Sequence, residues 1–155
     1  MSIALARQPD CIQVFLFSLP HEERLEPAVQ KIQQVLARLP GLIGGVNLMN
    51  QRRVLAMAAP FPASHLNAQG LIPAAVLDDL GRAYQIFPWT GFGTLYGTRA
   101  TVRAAQAEIR THLRGVVSRL LFVTPARAKI LARLARWPPG ASGQRLAAML
   151  ASSME

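Results

Sequence analysis

The sequence has few cysteines, few aromatic residues and no long apolar run, and each shortage excludes a class of protein. Cys11 is the single cysteine among 155 residues, so an internal disulfide and a multi-cysteine metal site are excluded. No segment approaches the ~18 consecutive apolar residues of a membrane-spanning helix. The start, MSIALARQPD, lacks the charged and then apolar pattern of a signal peptide. These features predict a soluble protein of a reducing compartment, the cytoplasm, with Cys11 as a buried thiol.

The charge is unbalanced, with 17 Lys plus Arg against 8 Asp plus Glu and a net charge of +9. Such a balance favours nucleic-acid binding as a hypothesis. The arginines are dispersed, however, although denser between Arg99 and Arg145, and the aromatic residues make up only 6% of the chain and do not interleave with them. Solvated helix faces are the more common reason for such charge. A small basic α+β module that binds an anionic partner such as RNA therefore stays an alternative.

The side chains that usually perform catalysis form no recognisable motif. His21, His65 and His112 are far apart in the sequence, and we expect all three to be solvated. No serine occupies the strand-to-helix turn that presents a hydrolase nucleophile. We therefore predict no metal site, no catalytic residue and no hydrolase activity.

Hydrophobic patterns predict four strands and five helices in one domain of residues 1–155. The strands are expected at 11–19, at 46–58 with a break near Asn50–Arg52, at 89–98 and at 116–123; the helices at 22–39, 73–84, 98–113, 125–136 and 142–149. This order predicts an α+β fold, an antiparallel sheet with helices packed on one face, in which each strand-helix-strand half is ferredoxin-like.

The stretch WTGFGTLYGT, residues 89–98, holds three glycines in the spacing G-x-G-x-x-x-G. A dinucleotide-binding loop needs G-x-G-x-x-G, one residue fewer. Strand alternation instead separates the larger side chains from the glycines, with Phe92, Thr94 and Tyr96 on one side and Gly91, Gly93 and Leu95 on the other. We therefore predict a strand with one face stripped of side chains, which lets a helix, another backbone or a ligand approach closely.

This strand and its neighbours resemble the cap domain, the C-terminal and substrate-side domain, of FAD-linked oxidases of the vanillyl-alcohol oxidase and p-cresol methylhydroxylase type. In that family a short helix precedes a strand of the form W-N-x-x-G-A-L-Y-G, and a long helix follows it. Thr90 replaces the usual asparagine, and the matching residues are Trp89, Gly93, Leu95, Tyr96 and Gly97. The flanking stretches QVFLFSLPHEERLEPAVQKIQQV, VVSRLLFVTPARAKILARL and QRLAAMLASSME extend the resemblance over nearly the whole chain.

The resemblance implies that residues 1–155 are a partial cap, without the family's FAD-binding domain and without its later active-site segment. The intact parent would oxidise a small, for example phenolic, substrate by hydride transfer to FAD. We expect this chain alone to be inactive and to retain no FAD. Its partner would be the missing FAD-binding domain or subunit, and the uncovered surface predicts self-association.

The resemblance also indicates residues near the flavin. Asn47 occupies the position where some members carry a histidine bonded covalently to FAD, and because an amide cannot form that bond, FAD would be held noncovalently or anchored elsewhere. Asn47 and Asn50 are the candidate cofactor-binding residues. Arg53 is the candidate substrate-binding residue, since it favours a developing negative charge. The alternative is a strand-edge bulge with solvated polar side chains at all three positions.

Overall fold

A four-stranded antiparallel sheet is the centre of the computed structural model, which describes residues 9–124. The strands are β1 (Cys11–Leu19), β2 (Ile43–Asn50), β3 (Trp89–Gly97) and β4 (Arg119–Val123), and the helices are α1 (Leu25–Arg38), α2 (Gln51–Ala58), α3 (Ala74–Ala83) and α4 (Arg99–Leu113). The predicted α+β class with an antiparallel sheet is confirmed. The helices predicted at 125–136 and 142–149 lie outside the described residues.

The strands lie in the order β2-β3-β1-β4, so the first strand of the chain is central. β3 is antiparallel to both β1 and β2, which therefore run in the same direction. α1 joins β1 to β2, and α4 joins β3 to β4, so each of these helices connects two strands that are not neighbours in the sheet. α2 and α3 lie in the connection between β2 and β3.

One face of the sheet, here called the helix face, is covered by α1 and α4. Its fully buried side chains include Phe15, Phe17, Leu19 and Leu95. α4 contributes four buried residues at the spacing of one helical face: Val102, Ala105, Ile109 and Leu113. Thr98 caps this helix, because its hydroxyl oxygen accepts a hydrogen bond from the Thr101 N–H at 3.2 Å.

The start of α1 differs from the sequence-based expectation. Glu22–Arg24 form a separate 3-10 turn, and the α-helix begins at Leu25. Its buried residues are Ala28, Ile32 and Val35, with the flanking leucines 25, 36 and 39 packed partly against the core. The apolar residues 25, 29, 32, 36 and 39 step by four and three in the sequence and predict a face that is rotated slightly from this buried one. The small Ala28 side chain gives little hydrophobic signal in the sequence, although it is fully buried in the core cluster.

The glycines of β3 face the helix side, where phenylalanine rings of β1 occupy the space that a side chain would need. Gly91 pairs with Phe17 and Gly93 with Phe15 in the register. A Cβ built on Gly93 would lie 2.5 Å from the Phe15 Cζ and 2.8 Å from the Gly45 carbonyl oxygen, and one on Gly91 would overlap the Phe17 ring. The predicted strand with one bare face is thus confirmed, and its glycines accommodate core aromatics.

The strand predicted over residues 46–58 is wrong after Asn50, where the chain turns into α2. The Asn50 side-chain oxygen accepts a hydrogen bond from the Arg53 N–H at 2.9 Å, which satisfies a free donor of the first helical turn. Val54, Leu55 and Ala58 are buried, at the spacing of one helical face. The break expected near Asn50–Arg52 is a strand-to-helix junction.

Candidate functional site

The second face of the sheet is the one opposite α1 and α4, and parts of it are also buried, since Val14, Val123 and Ser18 are 2%, 7% and 9% exposed. On the helix face the phenyl rings already fill the bare backbone of β3. By register the second face carries Ile12, Val14, Leu16 and Ser18 of β1, Asn47 and Met49 of β2, Thr90, Phe92, Thr94 and Tyr96 of β3, and Arg119, Leu121 and Val123 of β4. Its exposed or half-buried part therefore combines apolar residues with the exposed polar side chains of Asn47 and Arg119.

Asn47 lies on this second face, exposed and opposite Phe92 in the register. Its amide therefore has both its donor and its acceptor directed towards the surface rather than into the core. An amide at this place can hydrogen-bond a ring heteroatom but cannot form a covalent link to it. The Tyr96 ring covers Gly44 on the same strand pair, since a Cβ on Gly44 would overlap it.

Asn50 is placed differently from Asn47. It pairs with Trp89 at the end of β2, and alternation directs it to the opposite face from Asn47. Its side-chain oxygen already caps α2 through the Arg53 N–H. The structure therefore links the Asn50 side chain to the Arg53 backbone N–H, and it directs Asn50 to the opposite face of the sheet from Asn47.

Arg53 is exposed in the first turn of α2. The adjacent Arg52, which the sequence reasoning did not single out, lines two cavities of about 540 and 360 Å³. Helical spacing alone predicts that neighbouring arginines point in different directions. Because the sequence pattern predicted a strand over residues 46–58, the helical directions of Arg52 and Arg53 could not be predicted from it.

The smaller of these cavities brings Asn50 and Arg52 together with the carboxylates of Glu22 and Asp78 and with Trp89. The Trp89 Nε1 is buried and has no hydrogen-bond partner within residues 9–124. An indole N–H buried without an acceptor destabilises the fold. The Trp89 side chain packs against the core cluster.

The histidines do not all behave as predicted. His21 and His65 are exposed, but the His112 side chain is only 15% exposed and its Nε2 lies 3.3 Å from the Glu108 Oε2. The i,i+4 spacing of these two residues on α4 explains the contact. Over residues 9–124, no group of three or more His, Cys, Asp or Glu side chains is arranged to hold a metal ion.

The arginines of α4 are exposed, as predicted, and they are dispersed along the helix: Arg99, Arg103, Arg110 and, at its end, Arg114. Arg110 lies over the Phe122 ring, 4.6 Å from its centre, and Arg119 lies 5.7 Å from the centre of the Phe87 ring. These stacked guanidinium groups have partners within the fold. Within the part of the chain that the structure describes, no helix is both long and apolar enough to cross a membrane.

No family model matches the chain. Over 140 residues it is 31% identical to the 1'-carboxy-chondrochloren decarboxylase of Chondromyces crocatus, an alignment that covers 89% of this chain and 25% of the decarboxylase. Among solved structures, the 4-ethylphenol oxidase from Gulosibacter chungangensis, in complex with isoeugenol, matches 91% of this chain with a TM-score of 0.64 and 15% identity. p-Cresol methylhydroxylase with substrate bound matches 89% with a TM-score of 0.60 and 18% identity.

The fold is thus that of the cap region of the vanillyl-alcohol oxidase and p-cresol methylhydroxylase family, and the resemblance seen in the sequence is confirmed at this level. The matched regions are 25% and 28% of the two solved chains. This chain therefore spans about a quarter of the length of the proteins that it matches.

Proposed function

We propose that this chain is the cap part of a flavin-dependent oxidoreductase, and that it covers the flavin ring and forms one wall of the substrate pocket. The observation that carries the proposal is the fold match to two phenol-converting enzymes over about nine tenths of this chain. Residues 1–155 form the partial cap, FAD and its binding domain come from another segment or subunit, and the complex works in the cytoplasm. The two strand-helix-strand halves are ferredoxin-like in this proposal, which the strand order supports.

The second face of the sheet is the surface that we assign to the flavin. Asn47 is exposed there beside Phe92, and an amide among apolar groups can orient a flat heterocycle. Asn50 lies on the opposite face from Asn47 and its oxygen caps α2, so in this proposal it positions the start of α2, and with it Arg53, instead of contacting the ring on the second face. Arg53 acts on the substrate from the start of α2 by favouring negative charge on a phenolic oxygen. When bound, FAD supplies the redox chemistry.

The relative from Chondromyces crocatus is, by its name, a decarboxylase. Assays of the complete enzyme should therefore follow both oxidation of 4-alkylphenols and release of CO2 from carboxylated substrates. Either reaction fits a cap that holds an aromatic substrate over a flavin, and the two differ in the bond that breaks. The ratio of the two activities would define the reaction of the parent.

The test begins with the DNA on both sides of the gene, where the proposal expects an FAD-binding domain to be encoded. Co-expression of that domain with this chain should give a complex with visible flavin absorbance, and a 4-alkylphenol should bleach it in the absence of oxygen. The purified chain alone should show no flavin absorbance. Absence of any FAD-binding domain on either side would contradict the proposal.

Two variants of the complex refine the test. Arg53→Gln should lower the rate of flavin reduction about tenfold, because one stabilising charge is lost. Asn47→Leu should weaken FAD retention. Arg38→Gln, which removes an exposed arginine at the end of α1, serves as the control with the same change in charge. Equal rates for the Arg53 and Arg38 variants would remove Arg53 from the site.

The alternative function, binding of an anionic partner such as RNA, rests on the net charge of +9. A titration with labelled RNA at low and moderate salt tests it, since phosphate-driven binding weakens steeply as salt rises. We expect weak or absent binding, because the arginines of α4 are dispersed and two guanidinium groups stack on rings. Tight, salt-sensitive binding would instead favour this alternative.

We further propose that the chain self-associates when its FAD-binding partner is absent. Leu121, on the second face of edge strand β4, is 49% exposed. Apolar groups on an uncovered sheet edge favour pairing with another copy. Light scattering should show oligomers, and a clean monomer would contradict the proposal.

A further inference from the structure

A cavity of about 540 Å³ lies outside the sheet, between α2, the connection that follows it and α3. Its walls are Leu55 and Ala56 of α2, the residues Ala59, Pro60, Phe61, Pro62, Leu71 and Ile72 of the connection, and Leu77 and Leu80 of α3. The volume is within the range of small-molecule sites, which is about 300 to 1,000 Å³. Phe61 and Leu71 are 68% and 64% exposed at its rim.

Arg52 is the single charged residue that lines this cavity. It also lines the neighbouring 360 Å³ cavity, which contains the carboxylates of Glu22 and Asp78. Within residues 9–124 the structure shows no ion pair between Arg52 and either carboxylate; the side-chain pairs it does show are Arg82 with Asp79 and His112 with Glu108. The Arg52 guanidinium is therefore available to an anion in the apolar cavity.

We propose that this cavity binds a small carboxylic acid with an apolar body. The carboxylate pairs with Arg52, and the hydrocarbon part contacts the leucines of α2 and α3. An apolar cavity with one cation selects for this chemistry, because the apolar walls bind hydrocarbon without specificity while the guanidinium forms a charge-assisted hydrogen bond to the carboxylate. No residue of the sheet lines the cavity, so it is separate from the surface that we assign to the flavin.

The test uses the 155-residue chain and two probes of equal length, decanoate and the uncharged decanol, titrated by calorimetry. Both should bind saturably with one site. Arg52→Gln should weaken decanoate about tenfold and leave decanol unchanged, since only the charged pair is lost. Arg103→Gln, an exposed arginine on α4, makes the same change in net charge and should leave both affinities unchanged.

A variant with a larger side chain in the cavity tests whether the two probes bind there. Ala56 is exposed on α2 and lines the cavity, so Ala56→Trp should occupy it and abolish binding of both probes without unfolding the chain. Circular dichroism checks the fold of each variant. The proposal is wrong if decanoate fails to bind, if Arg52→Gln and Arg103→Gln weaken it equally, or if the folded Ala56→Trp chain still binds. None of these outcomes depends on FAD, so they do not bear on the proposed oxidoreductase role.

Discussion

Replacement of Gly93 by alanine should destabilise the fold, whereas the same replacement at Gly45 should not. Both glycines lie in the sheet, Gly93 in β3 and Gly45 in β2. A Cβ at Gly93 would lie 2.5 Å from the Phe15 Cζ and 2.8 Å from the Gly45 carbonyl oxygen. A Cβ at Gly45 would meet nothing within 4 Å.

The magnitude follows from two opposing terms. Gly→Ala lowers the entropy of the unfolded chain, which stabilises the fold by about 0.4–1 kcal/mol wherever the backbone is compatible. Overpacking of a core costs about 1–3 kcal/mol. Phe15 is only 2% exposed and the second obstacle is a backbone oxygen, so neither can move away easily and the upper part of that range applies. We expect a net loss of about 2 kcal/mol for Gly93→Ala and a gain of about 0.5 kcal/mol for Gly45→Ala.

Urea unfolding followed by circular dichroism measures both free energies. In a chain of 155 residues a loss of about 2 kcal/mol corresponds to a decrease in Tm of roughly 4 to 8 °C. The slope of the free energy with urea should be unchanged if only the native state is affected. Equal stability of the two variants would refute the packing of Phe15 against the bare backbone of β3.

The remaining predictions concern polar contacts. Asn50→Ala should lower the free energy of unfolding by about 1 kcal/mol, because the cap of α2 is lost. Asn47→Ala, at an exposed position, should change it by less than about 0.5 kcal/mol. Similar values for both variants would show that Asn50 does not cap α2. Gln106 donates a hydrogen bond to the buried Gln13, so Gln106→Leu should cost about 1–3 kcal/mol and the double variant with Gln13→Leu should recover most of it. Thermal unfolding of the single and double variants tests this, and additive losses would contradict it.

Sequence periodicity predicted a helix or strand well where the buried residues of that element recur at a regular spacing. The buried residues of α4 and the bounds of β3 follow directly from 3.6-residue and 2-residue periods, because both elements bury one regular face. α2 was missed since a helix of 8 residues shows barely two turns, and its apolar positions 54, 55 and 58 also fit an irregular strand. The sequence signal for the start of this helix is Asn50, a common N-cap residue, followed by the apolar positions 54, 55 and 58.

The candidate site was less predictable than the fold. Asn47 and Asn50 are three residues apart, and only the end of β2 at Asn50 shows that one lies on the second face and the other caps a helix. The cavity beside Arg52 depends on how the connection between α2 and α3 packs, which has no local pattern in the sequence. The reason for the β3 glycines was also tertiary, because the phenyl rings that need the space belong to β1.

The central place of β1 has a consequence for synthesis on the ribosome. Among the described strands β1 is made first, yet both of its hydrogen-bonding neighbours follow much later; Ser18 accepts a hydrogen bond from Ser118, 100 residues further along. The first described element that can shield its phenylalanines is α1, which follows them directly and packs on the same face. Until β3 and β4 are made, both edges of this central strand are unpaired, so a chain stalled at that stage would be prone to aggregate.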